Sequence, residues 1–208
     1  MNPAPTFDRA YPVIKRRVLR GDWRPLERID VGQLAHDLDV STIPMREALQ
    51  RLVGEHLVDL VPGGGFMVPH LGGAALRDLY HWHAQLLRIA LRQPGLGPIV
   101  VPITSDADGP ETLALAAETL FGTIGAASSN TEHGRAIAAV GERLRRVRIN
   151  ESRLIAGVKD ELDHVRALTE DGREDALRDA ITAYHRRRLR RVPQLIASLA
   201  LIEDPPGR

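Results

Sequence analysis

Between Ser41 and Arg51 the chain reads Ser-Thr-Ile-Pro-Met-Arg-Glu-Ala-Leu-Gln-Arg. Helical spacing turns Ala48, Leu49, Leu52 and Val53 toward a core. Arg46, Glu47, Gln50 and Arg51 are left for solvent or for a partner. A guanidinium on such a face matches the O6 and N7 acceptors of guanine in a two-pronged fork. The plainer role for Arg46 is a solvated arginine paired with Glu47 or Glu55. Downstream, Pro62-Gly-Gly-Gly65 forms a tip whose bare backbone can approach a DNA groove or a phosphate closely, because glycine carries no Cβ. The plainer role for that tip is a loose turn.

The surrounding residues are those needed to hold such a helix in place. Val31 to Leu38 reads as a short helix with Leu34, Ala35 and Leu38 facing in. Asp39 takes the turn, where it tolerates a left-handed backbone, and Val40 fills the gap. Ser41 is a suitable N-cap. Pro44 falls in the first turn, where its missing N–H costs no intrahelical bond. Leu57–Val61 and Phe66–Val68 read as two short strands around the glycine tip. A helix-turn-helix followed by a β-wing places its second helix in a DNA major groove. Ahead of it, Thr6 to about Leu19 is a helix with Phe7, Tyr11, Ile14, Val18 and Leu19 on one stripe. Gly21 closes that helix, and Trp23-Arg-Pro25 makes a turn.

After Leu71-Gly72-Gly73, which reads as a hinge, the pattern becomes helical throughout. Helices are expected at 74–92, 111–127, 131–148, 151–169 and 174–192, with a short final one at 195–202. Asn130, Gly172 and Pro193 separate them. The stretch 94–110, rich in proline and glycine, is a loop or crossover. The fold class is therefore mostly α: an N-terminal winged helix-turn-helix domain over residues 1–70, and an antiparallel all-helical bundle over 71–208.

Totals bound the remaining possibilities. The 208 residues are 43% hydrophobic but only 4% aromatic, so the core is built from Leu, Ala, Val and Ile. Cysteine is absent, which removes disulfides and thiolate-bound zinc. No basic-then-apolar leader and no apolar run of membrane-spanning length is seen, so a cytoplasmic location and no membrane partner are expected. Net charge is +1. The first 70 residues carry nine basic and nine acidic side chains. Bulk attraction to phosphates is thus weak, and specificity must come from particular contacts. The arginine runs 143–148 and 186–191 read as solvated helix faces paired with nearby acids.

The segment Leu34-Ala35 through Asp39-Val40-Ser41-Thr42-Ile43-Pro44-Met45-Arg46-Glu47-Ala48-Leu49 resembles the GntR family of bacterial transcription regulators. Arg51-Leu52, Leu57-Val58 and the glycine wing extend the likeness over residues 6–70. The later helices look like the effector domain of the FadR subfamily. The resemblance implies DNA contact from Ser41, Thr42, Arg46, Gln50 and Arg51, with Gly64 and Gly65 at the wing. It also marks departures: Thr42 and Ile43 stand where arginine and threonine are usual, and glycine replaces a basic wing residue. Fewer cationic contacts should lower both affinity and its salt dependence.

The same resemblance implies a divalent metal inside the bundle, held by an aspartate, a histidine four residues on, and two later histidines. Here these positions read Glu118, Gly122, His164 and His185. A reduced set of Glu118, His164 and His185 could hold zinc or a similar ion; without one, the histidines line a polar pocket. His83 stands where an arginine is common, and is expected to face that pocket as part of an effector site with Glu118, His164 and His185. Trp82 is assigned to the core. The implied function is a homodimeric, ligand-responsive DNA-binding regulator, a repressor rather than an enzyme. It binds a pseudo-palindromic duplex operator and answers a small effector of organic-acid type. A decayed pocket and a metal-dependent hydrolase are the alternatives.

Overall fold

The structure is a computed structural model that describes residues 6–92, 97–103 and 109–203. The chain divides into two compact units, Met1–Leu71 and Gly72–Arg208.

The first unit opens with α1 (Thr6–Arg20), followed by β1 (Arg28–Ile29), α2 (Val31–Asp37), α3 (Thr42–Gly54), β2 (Asp59–Leu60) and β3 (Phe66–Met67). Asp30 caps α2, its carboxylate accepting the Gln33 N–H at 3.0 Å. Ser41 caps α3 by backbone conformation only; its hydroxyl makes no capping bond. Between these helices Asp39 has φ of 50°, the left-handed turn expected of it. Ile14, Met45, Ala48, Leu49, Leu52 and Val58 are fully buried, so α1 and α3 meet over one aliphatic core. The helix-turn-helix is thus held from behind while the outer side of α3 stays free.

The wing is a three-stranded antiparallel sheet in the order β1-β3-β2. Ile29 and Leu60 both lie opposite Phe66. The sequence pattern suggested only the two strands of the hairpin. The third, β1, is two residues long, too short for its alternation to be seen.

The second unit is helical: α4 (Gly73–Ala90), α5 (Pro110–Ala126), α6 (Thr131–Leu154), α7 (Val158–Glu170) and α8 (Glu174–Glu203). Two expected breaks are absent. Helix α6 passes through 149–150, because Ile149-Asn150 contains no breaker and the Asn150 side chain donates to the Arg146 carbonyl at 3.1 Å. The real break falls at Gly157, whose φ of 66° is left-handed. Helix α8 runs straight through Pro193. The proline removes one backbone bond, but Val192 and Leu195 on either side are fully buried and hold the helix in register. The expected 94–110 crossover lies partly outside the described residues. Within it, Val101 is buried and the Ile99 N–H donates to the Thr169 carbonyl at 3.1 Å.

The buried face of α4 includes His83 but not Trp82. Leu76, Leu79, Tyr80, His83, Leu86 and Leu87 point inward. Trp82, assigned to the core, is 50% exposed, and Ile89 is also exposed. The inward stripe carries His83, expected to face inward, and Tyr80, which an apolar pattern passes over. Helices α5 and α6 approach closely where Gly125 meets Gly134: a Cβ on Gly125 would lie 3.2 Å from the Gly134 Cα.

Candidate nucleic-acid interface and buried polar cluster

Ser41 at the N-cap and Thr42, Arg46 and Gln50 along α3 are all exposed. Ile43 joins them at 67% exposure. An apolar side chain that far into water on a reading helix is suited to the methyl group of thymine. Among the described residues, Arg46 has neither a hydrogen-bond acceptor nor an ion-pair partner. Its expected competitor, Glu55, is occupied elsewhere. The Glu55 carboxylate accepts from the Tyr11 hydroxyl at 2.6 Å and pairs with Lys15 at 2.9 Å and Arg51 at 3.3 Å. Burial pushes the Glu55 carboxyl upward, but hydrogen bonds from Tyr11 and Lys15 outweigh it and hold the group below its ordinary value.

This network sorts the cations. Arg51 is stacked 4.1 Å over the Tyr11 ring and tied to Glu55, so it is committed to fixing α3 against α1. Arg17 is likewise engaged, by Asp22 at 3.3 Å and Asp37 at 3.5 Å. Arg46 is the guanidinium of α3 left to reach outward. The network is missing from any linear reading, because Tyr11 and Glu55 are 44 residues apart.

At the wing tip Gly63, Gly64 and Gly65 have φ of 85°, 103° and 100°. The Gly64 N–H donates to the Val61 carbonyl at 2.9 Å, and the Val61 N–H donates to the Gly65 carbonyl at 3.1 Å. A Cβ at any of the three would meet nothing within 4 Å. Glycine is therefore required by the backbone conformation and not by lack of room. The tip is a hydrogen-bonded turn, with Gly64 exposed and Gly65 half-buried.

Inside the second unit, the four residues expected to line one pocket are not together. His83 and His185 are, at 0% and 2% exposure, with His83 Nδ1 2.8 Å from His185 Nε2. Glu118 is bound by Arg145, whose Nε donates to it at 2.7 Å and whose Nη2 also contacts it. His164 is exposed and lines an open groove of about 400 Å³ with Val165, Ala180 and Ala183. The residue of α7 that does reach the interior is Glu161, three positions earlier, which accepts from Arg188 Nη1 at 2.6 Å. One helical turn thus separates the residue expected from the residue found. The metal set Glu118, His164 and His185 is corrected accordingly. Among the described residues no group of three or more His, Asp or Glu could hold an ion.

What the bundle buries instead is a polar cluster. Arg188, fully buried, donates from Nε to Glu151 at 2.8 Å and lies 3.2 Å over the Tyr184 ring. The Tyr80 hydroxyl donates to the second Glu151 oxygen at 2.6 Å. Burial, and then the Glu151 charge, push the Tyr80 phenol far above its ordinary value, so it remains a donor. Arg148 is 2% exposed and faces Phe121, its Cζ 5.5 Å from the ring centroid. Burial, followed by the charge of Arg148 and by His185, pushes the His83 imidazole well below its ordinary range. His185 is lowered to about 3, chiefly by burial. Both rings are therefore neutral at physiological pH. The sequence reading places Arg148 and Arg188 on solvated helix faces, with Glu151 among the acids paired to them; the structure keeps the Arg188–Glu151 pair but buries it, together with Arg148. They sit in the arginine-rich stretches whose average character is a wet helix face, and only the packing of α6 against α4 and α8 shows which members turn inward.

Residues 6–68 match the family model described as bacterial regulatory proteins, gntR family. The Nta operon transcriptional regulator of Aminobacter aminovorans is 28% identical over 186 residues, covering 84% of this chain and 88% of that protein. The HTH-type transcriptional regulator YdhC of Bacillus subtilis is 28% identical over 130 residues, 62% of this chain, and the match spans 54% of that protein. Among solved structures, a GntR transcriptional regulator from Rhodococcus sp. RHA1 superposes with a TM-score of 0.73. It covers 91% of this chain and 98% of that one at 15% identity, a likeness of fold.

Proposed function

We propose, from the premise that residues 6–68 are a gntR-type DNA-binding domain, that this chain is a DNA-binding transcription regulator acting as a homodimer on a pseudo-palindromic operator. The observation that carries the reading is the outer face of α3. There Ser41, Thr42, Arg46 and Gln50 are exposed together while Arg51 and Lys15 are consumed by Glu55. A helix that spends its flanking cations on internal fixation and leaves one guanidinium free is suited to base reading more than to general phosphate attraction. Gly64 and Gly65 bring the wing backbone to the neighbouring phosphates or minor groove.

One recognition helix reads few base pairs, so a dimer across a dyad supplies the needed affinity. Residues 71–208 provide the dimer contact and a site for a small effector. Effector binding favours one arrangement of the two protomers and so changes the spacing of the two α3 helices. Repression by occupancy of the operator is the simplest output.

Selection of bound duplexes from a random DNA library, using the full-length protein, tests this. The expected result is an enriched inverted repeat with half-site centres about one or two helical turns apart. Enrichment of no motif, with binding that depends on salt alone, would refute it.

A further inference from the structure

Helix α3 carries one side chain that internal packing does not use. Ile43 is 67% exposed, whereas Met45, Leu49 and Leu52 of the same helix are fully buried. A large aliphatic group left in water forgoes the stabilisation that burial would give it. The local backbone sets its direction. Pro44 and Met45 turn into the core at the start of α3, while Ser41, Thr42 and Ile43 just before them are exposed. Ile43 is therefore held in the open by the same packing that fixes the helix. It precedes Arg46, Glu47 and Gln50 by three, four and seven positions, so all four share one stripe, and all four are exposed.

A single exposed aliphatic residue is ordinary on a protein surface. The setting of this one is not. Its exposed neighbours Ser41, Thr42, Arg46, Glu47 and Gln50 are all polar or charged. Among the described residues of α3 no other large apolar side chain is exposed with it, so the helix offers no patch of the size that docks another protein. The side chain is also β-branched, which in a helix leaves one strongly preferred rotamer and little freedom to lose on contact. Such a group fits a small apolar surface set among polar edges. In the major groove that surface is the C5-methyl group of thymine; the other three bases present hydrogen-bonding groups there and no methyl.

We infer that Ile43 is a specificity-determining residue of the operator contact, packing on the C5-methyl group of one thymine in each half-site. A rise of about 1.5 Å per residue places Ile43 about 4.5 Å along the helix from Arg46. Bases on one strand follow one another about every 3.4 Å. The thymine therefore lies within about two base pairs of the guanine that Arg46 reads. Its discrimination rests on burying a methyl group, so it is modest in size and does not follow salt as a phosphate contact does. The inference rests on the reading of α3 as the recognition helix and names a base that this helix selects.

The test uses the full-length protein and duplexes carrying the inverted repeat enriched by DNA selection. Each thymine of a half-site is replaced in turn by uracil, which removes the C5-methyl group and keeps every hydrogen-bonding atom. At one position, within about two base pairs of the guanine that Arg46→Ala ceases to distinguish, uracil is expected to weaken binding about four-fold for each half-site substituted, the worth of one buried methyl group. The factor should be the same at two salt concentrations. Ile43→Ser should bind the thymine and uracil duplexes equally, with an unchanged melting midpoint, because the side chain it loses is exposed. Ile43→Val, which keeps the branched carbon, should retain part of the preference. A selected motif whose thymines all accept uracil without loss overturns the inference, and so does a four-fold effect that persists in Ile43→Ser. Either result leaves the regulator reading standing. Enrichment of no motif refutes the regulator reading and this inference together.

Discussion

Lowering the pH should weaken the second unit through its two buried histidines, in a window set by their environment. His185 titrates near 6.5 in an unfolded chain and at about 3 in the folded one. His83 is shifted in the same direction, first by burial and then by Arg148 and His185. The surroundings offer no relief. Arg148, Arg188 and His81 all disfavour a positive charge on His185, and the Ile181 carbonyl alone favours it. Between the two values the unfolded chain binds a proton that the folded chain refuses. Stability is therefore complete above about pH 6.5 and falls as the pH drops toward 3. Each such group removes about 1.4 kcal/mol per pH unit inside that window. His185 alone should cost about 2 kcal/mol at pH 5 relative to pH 7.5. Urea unfolding followed by circular dichroism at several pH values measures this. The comparison is with His83→Phe/His185→Phe, which removes both titrating rings, or with the single His185→Phe variant if the pair cannot be replaced. The wild type should lose stability more steeply between pH 6.5 and 4.5. Parallel curves for wild type and variant would refute the placement of neutral histidines beside Arg148.

Two further outcomes follow from the geometry. Arg46→Ala should weaken binding to the selected operator by about 1–3 kcal/mol for each half-site read, with dimerisation measured by light scattering unchanged; equal affinity for operator in the variant would remove Arg46 from the interface. Gly125→Val should lower stability by about 1–3 kcal/mol through overpacking. The new Cβ would fall 2.8 Å from Ile137 Cδ1 and 3.2 Å from the Gly134 backbone, which cannot rotate away. Thermal melting should register roughly 2–4 °C for each kcal/mol lost, and an unchanged midpoint would show that α5 and α6 are more loosely joined than described.

The contrast between the two units concerns what kind of information a linear sequence holds. In the first unit, function is carried by one short segment. Cap, turn residue, proline and apolar spacing around Ser41 to Leu52 are local signals, so the helix-turn-helix and the outward position of Arg46 are legible from residue order alone. Even there, residue order favoured Arg46 over Arg51 without supplying the physical reason. The difference lies in Tyr11, which packs against α3 from a distant helix and takes Arg51 and Glu55 out of play.

In the second unit, the helical character and most boundaries follow from periodicity, but the inner face does not. On α4 Trp82, assigned to the core, is exposed, while His83 faces inward beside His185 as expected; on α7 three positions exchanged His164 for Glu161. The sequence by itself determined a winged reader followed by a helical bundle, because both are written in spacing and breakers. Only the tertiary structure decided which charges are buried. A helix rich in arginine looks solvated along its whole length, and the fate of Arg148 depends on Phe121, His83 and His185, which three other stretches of chain bring to it. The cost of burying a charge is set by those neighbours, and so is what the site can bind.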